Sequence, residues 1–544
     1  MDFRLPPWLK PGLMLAVVAC LLVFITLNRA DLSGSTEPRE AGVAAEMLQS
    51  HNFLLPSLNG EPFLEKPPLS YWLQAASIGS FGYQAFAPRL PSALAAIATV
   101  LLFAFFYRKS NQKDWHILLS GTLLITMGAF LEYAQTAGQD MLLAFGVSLA
   151  VLSFYFTRED GSKALWLGFS AGIAVATLAK GVVGLAVPGI VVLSYLLIES
   201  FHFDQRFTLS KWVRPALFSL LGLLPILAWL ALIFATQGIE PVREVVWANS
   251  VGRFQGDYSG GAHAEPFYFY LKNLPQSFQP WSFLLYIAIW QSLKVLKIDR
   301  RRVFLLCWLV APLVLLSLSA GKRPSYLLMI YPAAAAFLAD YLVSFIQTSS
   351  ETTAKAAKVA KWLAAMQASI FSGALFYVVF RLVQIGLPGV AGVSLLLAGL
   401  PLYFMWRSVP QLRVFHLLAG AVGVLLVTSV AYYGLVTPHD GQLQSAKRVM
   451  DPLALFSGAG RPVALYQPSE RMRGAASFYL QHRVPTIATI AQLHETLARQ
   501  PDTVVLADES SGQLDLDQFK DEGQVRYGRT RYRYLSGKRI GSAG

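Results

Sequence analysis

Long uninterrupted apolar runs are the feature that most restricts the fold of this 544-residue chain. A helix needs about 20 apolar residues to cross the hydrocarbon core of a bilayer. Charged residues make up only 14% of the chain, against about 25% in an ordinary soluble domain. The sequence therefore predicts a mainly α-helical polytopic membrane protein with about thirteen transmembrane helices, centred on residues 11–28, 88–107, 116–134, 141–157, 164–179, 182–198, 215–236, 280–294, 303–319, 325–345, 362–384, 389–406 and 414–436.

The end of the chain has a different composition from the rest. Charged residues are roughly twice as frequent in residues 437–544 as in residues 1–436, and their frequency there is ordinary for a soluble domain. Short apolar runs at 462–465 and 503–506 alternate with helical patterns at 475–480 and 490–497. We therefore predict a transmembrane body over residues 1–436 and a small soluble α/β domain over residues 437–544.

Orientation follows from the distribution of lysine and arginine. One set of alternating short loops, beginning with the N-terminal segment, holds most of these cations and is therefore predicted to be cytoplasmic. The C-terminal domain and two long loops, 29–87 and 237–279, then face the periplasm. The net charge of +13 is the expected result of such loops, so it indicates contact with anionic lipid and not with nucleic acid. The stretch 40–48 is amphipathic and is predicted to lie along the membrane interface.

Several charged residues gather on the predicted outward face, where a charge is costly unless it meets water or another charge. Each has a plain structural explanation: Lys180 as an anchor that reaches the interface, Asp140 as a helix N-cap, and the surrounding aromatic residues as an interfacial belt. Taken together, outward-facing cations near the bilayer favour a site for an anionic lipid group such as a phosphate. Nearby carboxylates could then activate an acceptor.

The order and spacing of several motifs resemble those of glycosyltransferases that use lipid-linked sugars, including the lipid A aminoarabinose transferases. The resemblance covers most of residues 20–345, and its most specific block is Glu65-Lys66-Pro67-Pro68. The other matching segments include Thr36-Glu37-Pro38-Arg39-Glu40, Arg89-Leu90-Pro91-Ser92, Asp140, Ala179-Lys180-Gly181, Arg253-Phe254 and Gly321-Lys322-Arg323-Pro324-Ser325-Tyr326.

The resemblance implies the GT-C membrane fold in the bacterial inner membrane and a polyprenyl-phosphate-linked sugar donor. It also implies a lipid or glycan acceptor in the periplasm, with lipid A as the first candidate. In this interpretation Lys66 and Arg253 bind the carrier phosphate and Glu37 and Asp140 are the catalytic candidates. The substrate cavity is lined by Arg39, Glu65, Lys322, Arg323 and Tyr326.

Two departures from the family pattern affect these roles. The family often has an aspartate where this chain has Thr36, so its general-base role passes to Glu37, Asp31 or Asp140. The family histidine before the arginine is Ser250 here, which leaves Glu65 as the only metal ligand that we can name. No cofactor is therefore assigned, although a divalent cation remains an option. An acceptor that is itself a phosphate would need no base.

Three readings of the sequence remain. The first is the glycosyltransferase, acting on lipid A, another envelope glycan or a protein hydroxyl. The second is a lipid or sugar transporter, although transporters usually show internal repeats and broken helices near the midplane. The third is a structural membrane subunit, which leaves the charged motifs unexplained. Clustering of ionisable residues at one face favours the enzyme.

Overall fold

The computed structural model describes residues 10–28, 30–109, 114–159, 161–247, 265–293, 299–348, 354–441, 444–509 and 514–538. Two residues singled out above, Ser250 and Arg253, lie outside these ranges. The α-helices are α1 (Pro11–Phe24), α2 (Thr36–Ser50), α3 (Leu69–Phe81), α4 (Phe86–Lys109), α5 (Asp114–Ile125), α6 (Gly128–Ala134), α7 (Asp140–Glu159), α8 (Leu165–Lys180), α9 (Val183–Ile198), α10 (Leu209–Gln237), α11 (Ile239–Arg243), α12 (Phe269–Ser277), α13 (Ser282–Leu293), α14 (Arg300–Leu318), α15 (Tyr331–Thr348), α16 (Ala354–Gln384), α17 (Pro388–Ser408), α18 (Val414–Ala431), α19 (Thr437–Gly441), α20 (Ala446–Gly458), α21 (Glu470–Tyr479) and α22 (Ile490–Arg499).

The strands are few and short. They are β1 (Ser57–Leu58), β2 (Glu61–Pro62), β3 (Val463–Tyr466), β4 (Thr486–Ile487), β5 (Val504–Asp508), β6 (Lys520–Tyr527) and β7 (Thr530–Ser536). A 3₁₀ helix over Pro324–Ile330 precedes α15.

The mainly α-helical membrane architecture is confirmed. Among the described residues, nine helices are long and apolar enough to cross a bilayer, and α5 with α6 makes a tenth if this pair, bent by 71°, is one span. Three shorter apolar helices, α1, α8 and α13, fall where three further spans are predicted. Because these three are shorter than the length that a span ordinarily needs, the predicted count of thirteen is not confirmed.

The chain divides into two compact units. The first comprises residues 1–27, 65–70 and 92–432, and the second comprises residues 28–64, 71–91 and 433–544. The second unit therefore joins residues of the first long loop with the C-terminal residues. The placement of the boundary between a membrane body and a soluble domain at residue 437 remains a prediction.

Glycines bring α7 and α8 into backbone contact in the first unit. A Cβ atom on Gly146 would lie 2.6 Å from the backbone nitrogen of Ala176, and one on Gly172 would lie 2.4 Å from that of Ala150. Small residues permit such close approach between membrane helices, which associate by packing and not by the hydrophobic effect. The antiparallel pair places the first residue of α7 beside the last residue of α8, which is the basis of the site described below.

We expect Gly172→Ala to destabilise the protein by about 1–3 kcal/mol, because the added methyl group overlaps the α7 backbone. The measurement is the unfolding temperature in detergent, with Gly399→Ala as the control. A Cβ atom on Gly399, in α17, meets no atom within 4 Å. Equal unfolding temperatures for the two variants would contradict the packing argument.

The second unit contains a five-stranded sheet in the order β4-β3-β5-β7-β6. The first three strands are parallel, whereas β7 runs antiparallel to both β5 and β6. Alternate residues of β3 face opposite sides: Val463 and Leu465 pack with α20 and α21, whereas Ala464 and Tyr466 pack with α22. The predicted strands and helices of the α/β domain are present, and the β6–β7 hairpin is an addition that the sequence reading missed.

The amphipathic segment 40–48 does not have the predicted interfacial character within its unit. It belongs to α2, whose residues 37–47 are all buried, and α2 packs along α21. The contact is between backbones, because a Cβ atom on Gly42 would lie 2.3 Å from Cα of Gly474. The apolar face that suggested a lipid partner is therefore covered by protein.

The hairpin contains a pH-sensitive ion pair. A hydrogen bond from Arg461 lowers the pKa of the Glu522 carboxyl to about 2, burial opposes this shift, and hydrogen bonds from Ser536 and Lys520 assist it. Because this pKa is lower in the folded protein than its ordinary value of 4.5, the stabilisation is complete above that value and is lost as the pH falls towards 2.

We therefore expect Glu522→Gln to destabilise the hairpin by about 1–2 kcal/mol at pH 7 and by less at pH 4. Amide hydrogen exchange of β6 and β7 measures the difference at both pH values. Glu495→Gln is the control, since its partner Arg499 is exposed and such surface pairs contribute little. An effect of equal size at pH 7 and pH 4 would refute the assignment.

Candidate functional site

An ion pair between Asp140 and Lys180 lies where α7 begins and α8 ends. The side chain of Lys180 is 6% exposed and that of Asp140 is 20% exposed. A carboxylate at a helix N-terminus and an ammonium at a C-terminus both interact favourably with the helix dipoles. The ammonium of Lys180 also lies 4.1 Å from the ring centroid of Tyr326, as a cation–π contact.

The 3₁₀ helix places a further polar group near Asp140. Ser325 lies close enough to interact with both the Asp140 carboxylate and the phenol of Tyr133. Asp140 therefore has polar neighbours besides Lys180.

Lys66 belongs to the same group of charges. Its Nζ lies 3.4 Å from Oε1 of Glu65, and both side chains are about nine-tenths buried. Lys66 is also close enough to Asp140 to act on its carboxylate electrostatically. The structure thus brings together four residues predicted from the sequence, namely Glu65, Lys66, Asp140 and Tyr326, around a fifth, Lys180.

Lys322 and Arg323 differ from each other although they are adjacent. Lys322 is 4% exposed, and its ammonium donates to the backbone carbonyls of Glu265, at 2.7 Å, and Ser319. Burial lowers the pKa of Lys322, and the charge of Glu265 opposes this shift. Lys322 is therefore anchored by carbonyl groups. Arg323 is partly exposed, and no carboxylate in the described part of the chain forms a salt bridge with it.

Glu37 is held within the second unit by Arg89. The guanidinium donates to both carboxylate oxygens, at 2.7 Å each, and to the backbone carbonyls of Ala30 and Asp31. Bidentate pairs of this kind are strong and fix geometry. In the sequence, Arg89 is recognisable only as part of a motif. No pattern indicates that it pairs with Glu37, 52 residues away.

Arg39 is also buried in the second unit, where its guanidinium contacts several side chains. Its guanidinium donates to Glu40 and, at 3.1 Å, to Glu470 of α21, and it lies over the ring of Phe63. Neither this cluster nor the Glu37–Arg89 pair contains a lysine.

No group of three or more histidine, cysteine, aspartate or glutamate side chains that could hold a metal ion occurs among the residues described. The one ligand named from the sequence, Glu65, contacts the ammonium of Lys66, which would repel a divalent cation. The side chains of the described residues therefore do not fit a metal site. Arg253, the second predicted phosphate ligand, lies outside the described ranges.

The fold identifies the class of membrane protein to which this chain is similar. Over 96% of this chain and 97% of the other, the structure is similar to the crystal structure of ArnT from Cupriavidus metallidurans bound to undecaprenyl phosphate, with a TM-score of 0.73 at 18% identity. The chain is thus a multi-pass membrane protein with the GT-C fold.

Sequence comparisons point the same way. Residues 65–229 match the family model described as dolichyl-phosphate-mannose-protein mannosyltransferase. An undecaprenyl phosphate-α-4-amino-4-deoxy-L-arabinose arabinosyl transferase of Pseudomonas savastanoi pv. phaseolicola is 29% identical over 62% of this chain and 62% of its own length. A transferase of Pseudomonas fluorescens with the same description is 26% identical over 79% of this chain and 72% of its own. The chain thus spans about three-fifths of the length of the first of these relatives, and the resemblance to the aminoarabinose transferases is confirmed.

Proposed function

We propose that this protein is an integral-membrane glycosyltransferase of the bacterial inner membrane. It moves a sugar from a polyprenyl-phosphate carrier to an acceptor on the periplasmic side. Lipid A is the leading acceptor, with aminoarabinose-type transfer. The observation that carries the proposal is the convergence of Lys66, Lys180 and Asp140 at one end of the α7–α8 pair, in a protein with the GT-C fold.

The chemistry needs stabilisation of a leaving phosphate. The acceptor oxygen attacks the anomeric carbon, the bond from that carbon to the phosphate oxygen breaks, and the carrier phosphate leaves with the electron pair. Developing negative charge on that phosphate is stabilised by preorganised cations. Lys66 and Arg253 are the proposed phosphate ligands, with Tyr326 and Arg323 lining the cavity. Direct displacement inverts the anomeric centre.

Both catalytic candidates, Asp140 and Glu37, are paired with cations. Asp140 orients Lys180, and both oxygens of Glu37 accept from Arg89, so the described contacts favour positioning for each. A phosphate acceptor is already an anion and needs no base, whereas a hydroxyl acceptor needs one. The geometry therefore favours an acceptor that carries a phosphate. Glu65 and Lys322, both in the first unit, complete the proposed cavity residues.

The test is sugar transfer by purified protein in detergent. Labelled polyprenyl-phosphate sugars are offered with a panel of acceptors: lipid A, lipid A without its phosphates, another envelope glycan and a hydroxyl-bearing peptide. Transfer to lipid A that is lost on dephosphorylation supports the proposal. If only the peptide is glycosylated, the acceptor is a protein hydroxyl and not lipid A. If no donor supports transfer but the protein flips the lipid carrier in liposomes, the protein is a transporter and not a glycosyltransferase.

A further inference from the structure

A cavity of about 540 Å³ lies in the second unit, among the end of α2, the β1–β2 hairpin and the segment after α21. Its volume is typical of small-molecule sites, which range over about 300–1,000 Å³. Most of the lining surface is apolar, but the lining residues also supply hydroxyl groups, side-chain amides, one carboxylate and one guanidinium. None of these residues belongs to the cluster around Lys180, so the sugar-transfer proposal leaves the cavity unexplained.

Only one of the two oxygens of the Glu46 carboxylate accepts hydrogen bonds from the described residues. Glu46 is 9% exposed, and its Oε1 accepts hydrogen bonds from Ser57 Oγ at 2.8 Å and from the Gly60 nitrogen at 2.6 Å. Its other oxygen, Oε2, is buried and has no hydrogen bond from any described residue. Leaving a buried polar atom without a partner costs about 1–3 kcal/mol, and more when it is charged. A hydrogen-bond donor from a ligand or a water molecule would remove this cost.

Two further lining residues, Ser477 and Arg483, also carry groups that can hydrogen bond to a ligand. The hydroxyl of Ser477 is buried and makes no hydrogen bond to the described residues. The Arg483 guanidinium lies against Gly60, where a Cβ atom would be 2.1 Å from its Cζ, and the φ of +85° at Gly60 favours glycine. The described residues offer Arg483 no carboxylate partner. A hydroxyl and a guanidinium can both bond to a ligand oxygen.

The rim of the cavity is held in an uncommon backbone conformation. Outside glycine, the described part of the chain has six residues with positive φ, and three of them border this cavity: His51 (54°), Asn59 (56°) and Gln481 (58°). Such residues cost about 1–3 kcal/mol each and cluster at functional sites. The Asn59 side chain exchanges two hydrogen bonds with the backbone of Val484, which fixes the hairpin to the opposite wall.

The arrangement of donors and acceptors defines the ligand class. We propose that the cavity binds a saccharide. Its hydroxyl groups donate to Glu46 Oε2 and Ser477, and they accept from Arg483 and from the side-chain amides of Gln49 and Gln481. An inorganic anion would be repelled by Glu46, and an apolar ligand would leave Glu46 and Ser477 unpaired. This proposal does not depend on the sugar-transfer reaction.

The experiment measures binding to the full-length protein in nanodiscs by saturation-transfer NMR titration. The probes are free cellobiose, free glucosamine disaccharide, a synthetic glycolipid carrying each disaccharide, and inorganic phosphate. We expect a disaccharide to bind, and we expect Arg483→Ala and Ser477→Ala each to raise its Kd at least tenfold. Tighter binding of the glycolipid than of the free sugar would identify a lipid-borne glycan as the source.

The controls separate this site from the rest of the molecule. Arg499→Ala removes an exposed arginine of α22 and should leave the Kd unchanged. Lys66→Ala, which tests sugar transfer, should also leave it unchanged, so that failure of one proposal is distinguishable from failure of the other. The proposal is overturned if no saccharide binds the wild type, if only phosphate binds, or if folded Arg483→Ala and Ser477→Ala both bind as the wild type does.

Discussion

Lys66→Ala is expected to lower kcat/KM for sugar transfer by about 100- to 1,000-fold, the usual effect of removing one group that stabilises developing negative charge. The physical reason is that the ammonium of Lys66, buried beside Glu65 and close to Asp140, is proposed to contact the carrier phosphate. Initial rates with a labelled donor measure the effect. Lys66→Arg keeps the charge but changes its geometry, and it should recover only part of the rate.

The matched control is Lys361→Ala, which removes an exposed lysine of α16. It should retain wild-type activity. If Lys66→Ala also keeps its activity within twofold, the phosphate site does not include Lys66, and the assignment carried over from the family motif is wrong.

The second large effect concerns the Asp140–Lys180 pair. Asp140→Asn and Lys180→Met are each expected to destabilise the protein by about 3–5 kcal/mol, because each leaves one buried charge without its partner. The double variant should recover most of that loss, since it leaves no uncompensated charge. Unfolding of the four proteins in detergent completes a double-mutant cycle.

Activity of the double variant adds a separate readout. A purely structural pair would allow the double variant to transfer sugar once its stability is restored. We expect it to stay inactive, because Lys180 lies over Tyr326, which is proposed to line the substrate cavity. The exposed pair Glu495–Arg499 serves as a control cycle, with an expected coupling below about 1 kcal/mol. Additive losses at Asp140 and Lys180 would contradict the pairing.

Much of the architecture is readable from the sequence because it depends on local pattern. Apolar runs indicated the helices from α4 to α18 except the short α11 and α12, which lie in the predicted loop 237–279. Alternation of strand and helix signals indicated β3, β5, α21 and α22. The β6–β7 hairpin was missed because its strands carry many charged residues, including Asp521, Glu522 and Arg526, which mask the alternation. The bend between α5 and α6 was missed because the run 116–134 is mainly apolar and is predicted as one span.

The contacts between distant residues were beyond such a reading. Amphipathicity in α2 shows that one face is covered but not whether lipid or protein covers it. The motifs containing Glu37, Arg89, Asp140 and Lys180 could be recognised individually. The pairing of Arg89 with Glu37 depends on which helices pack against each other, and so does the pairing of Lys180 with Asp140. The sequence pattern does not specify which helices are neighbours.

The backbone contact between α2 and α21 also has a consequence for biosynthesis. Arg39 and Glu470 are 431 residues apart, so α2 leaves the ribosome long before the segment that covers it has been made. At about 5–20 residues per second, the interval is roughly 20–90 s. During that time the buried face of α2 lacks its native neighbour and must be shielded by other means. Truncation of the chain before α21 would make this exposure permanent, so the residues from Glu470 onwards complete the folding of a segment translated much earlier.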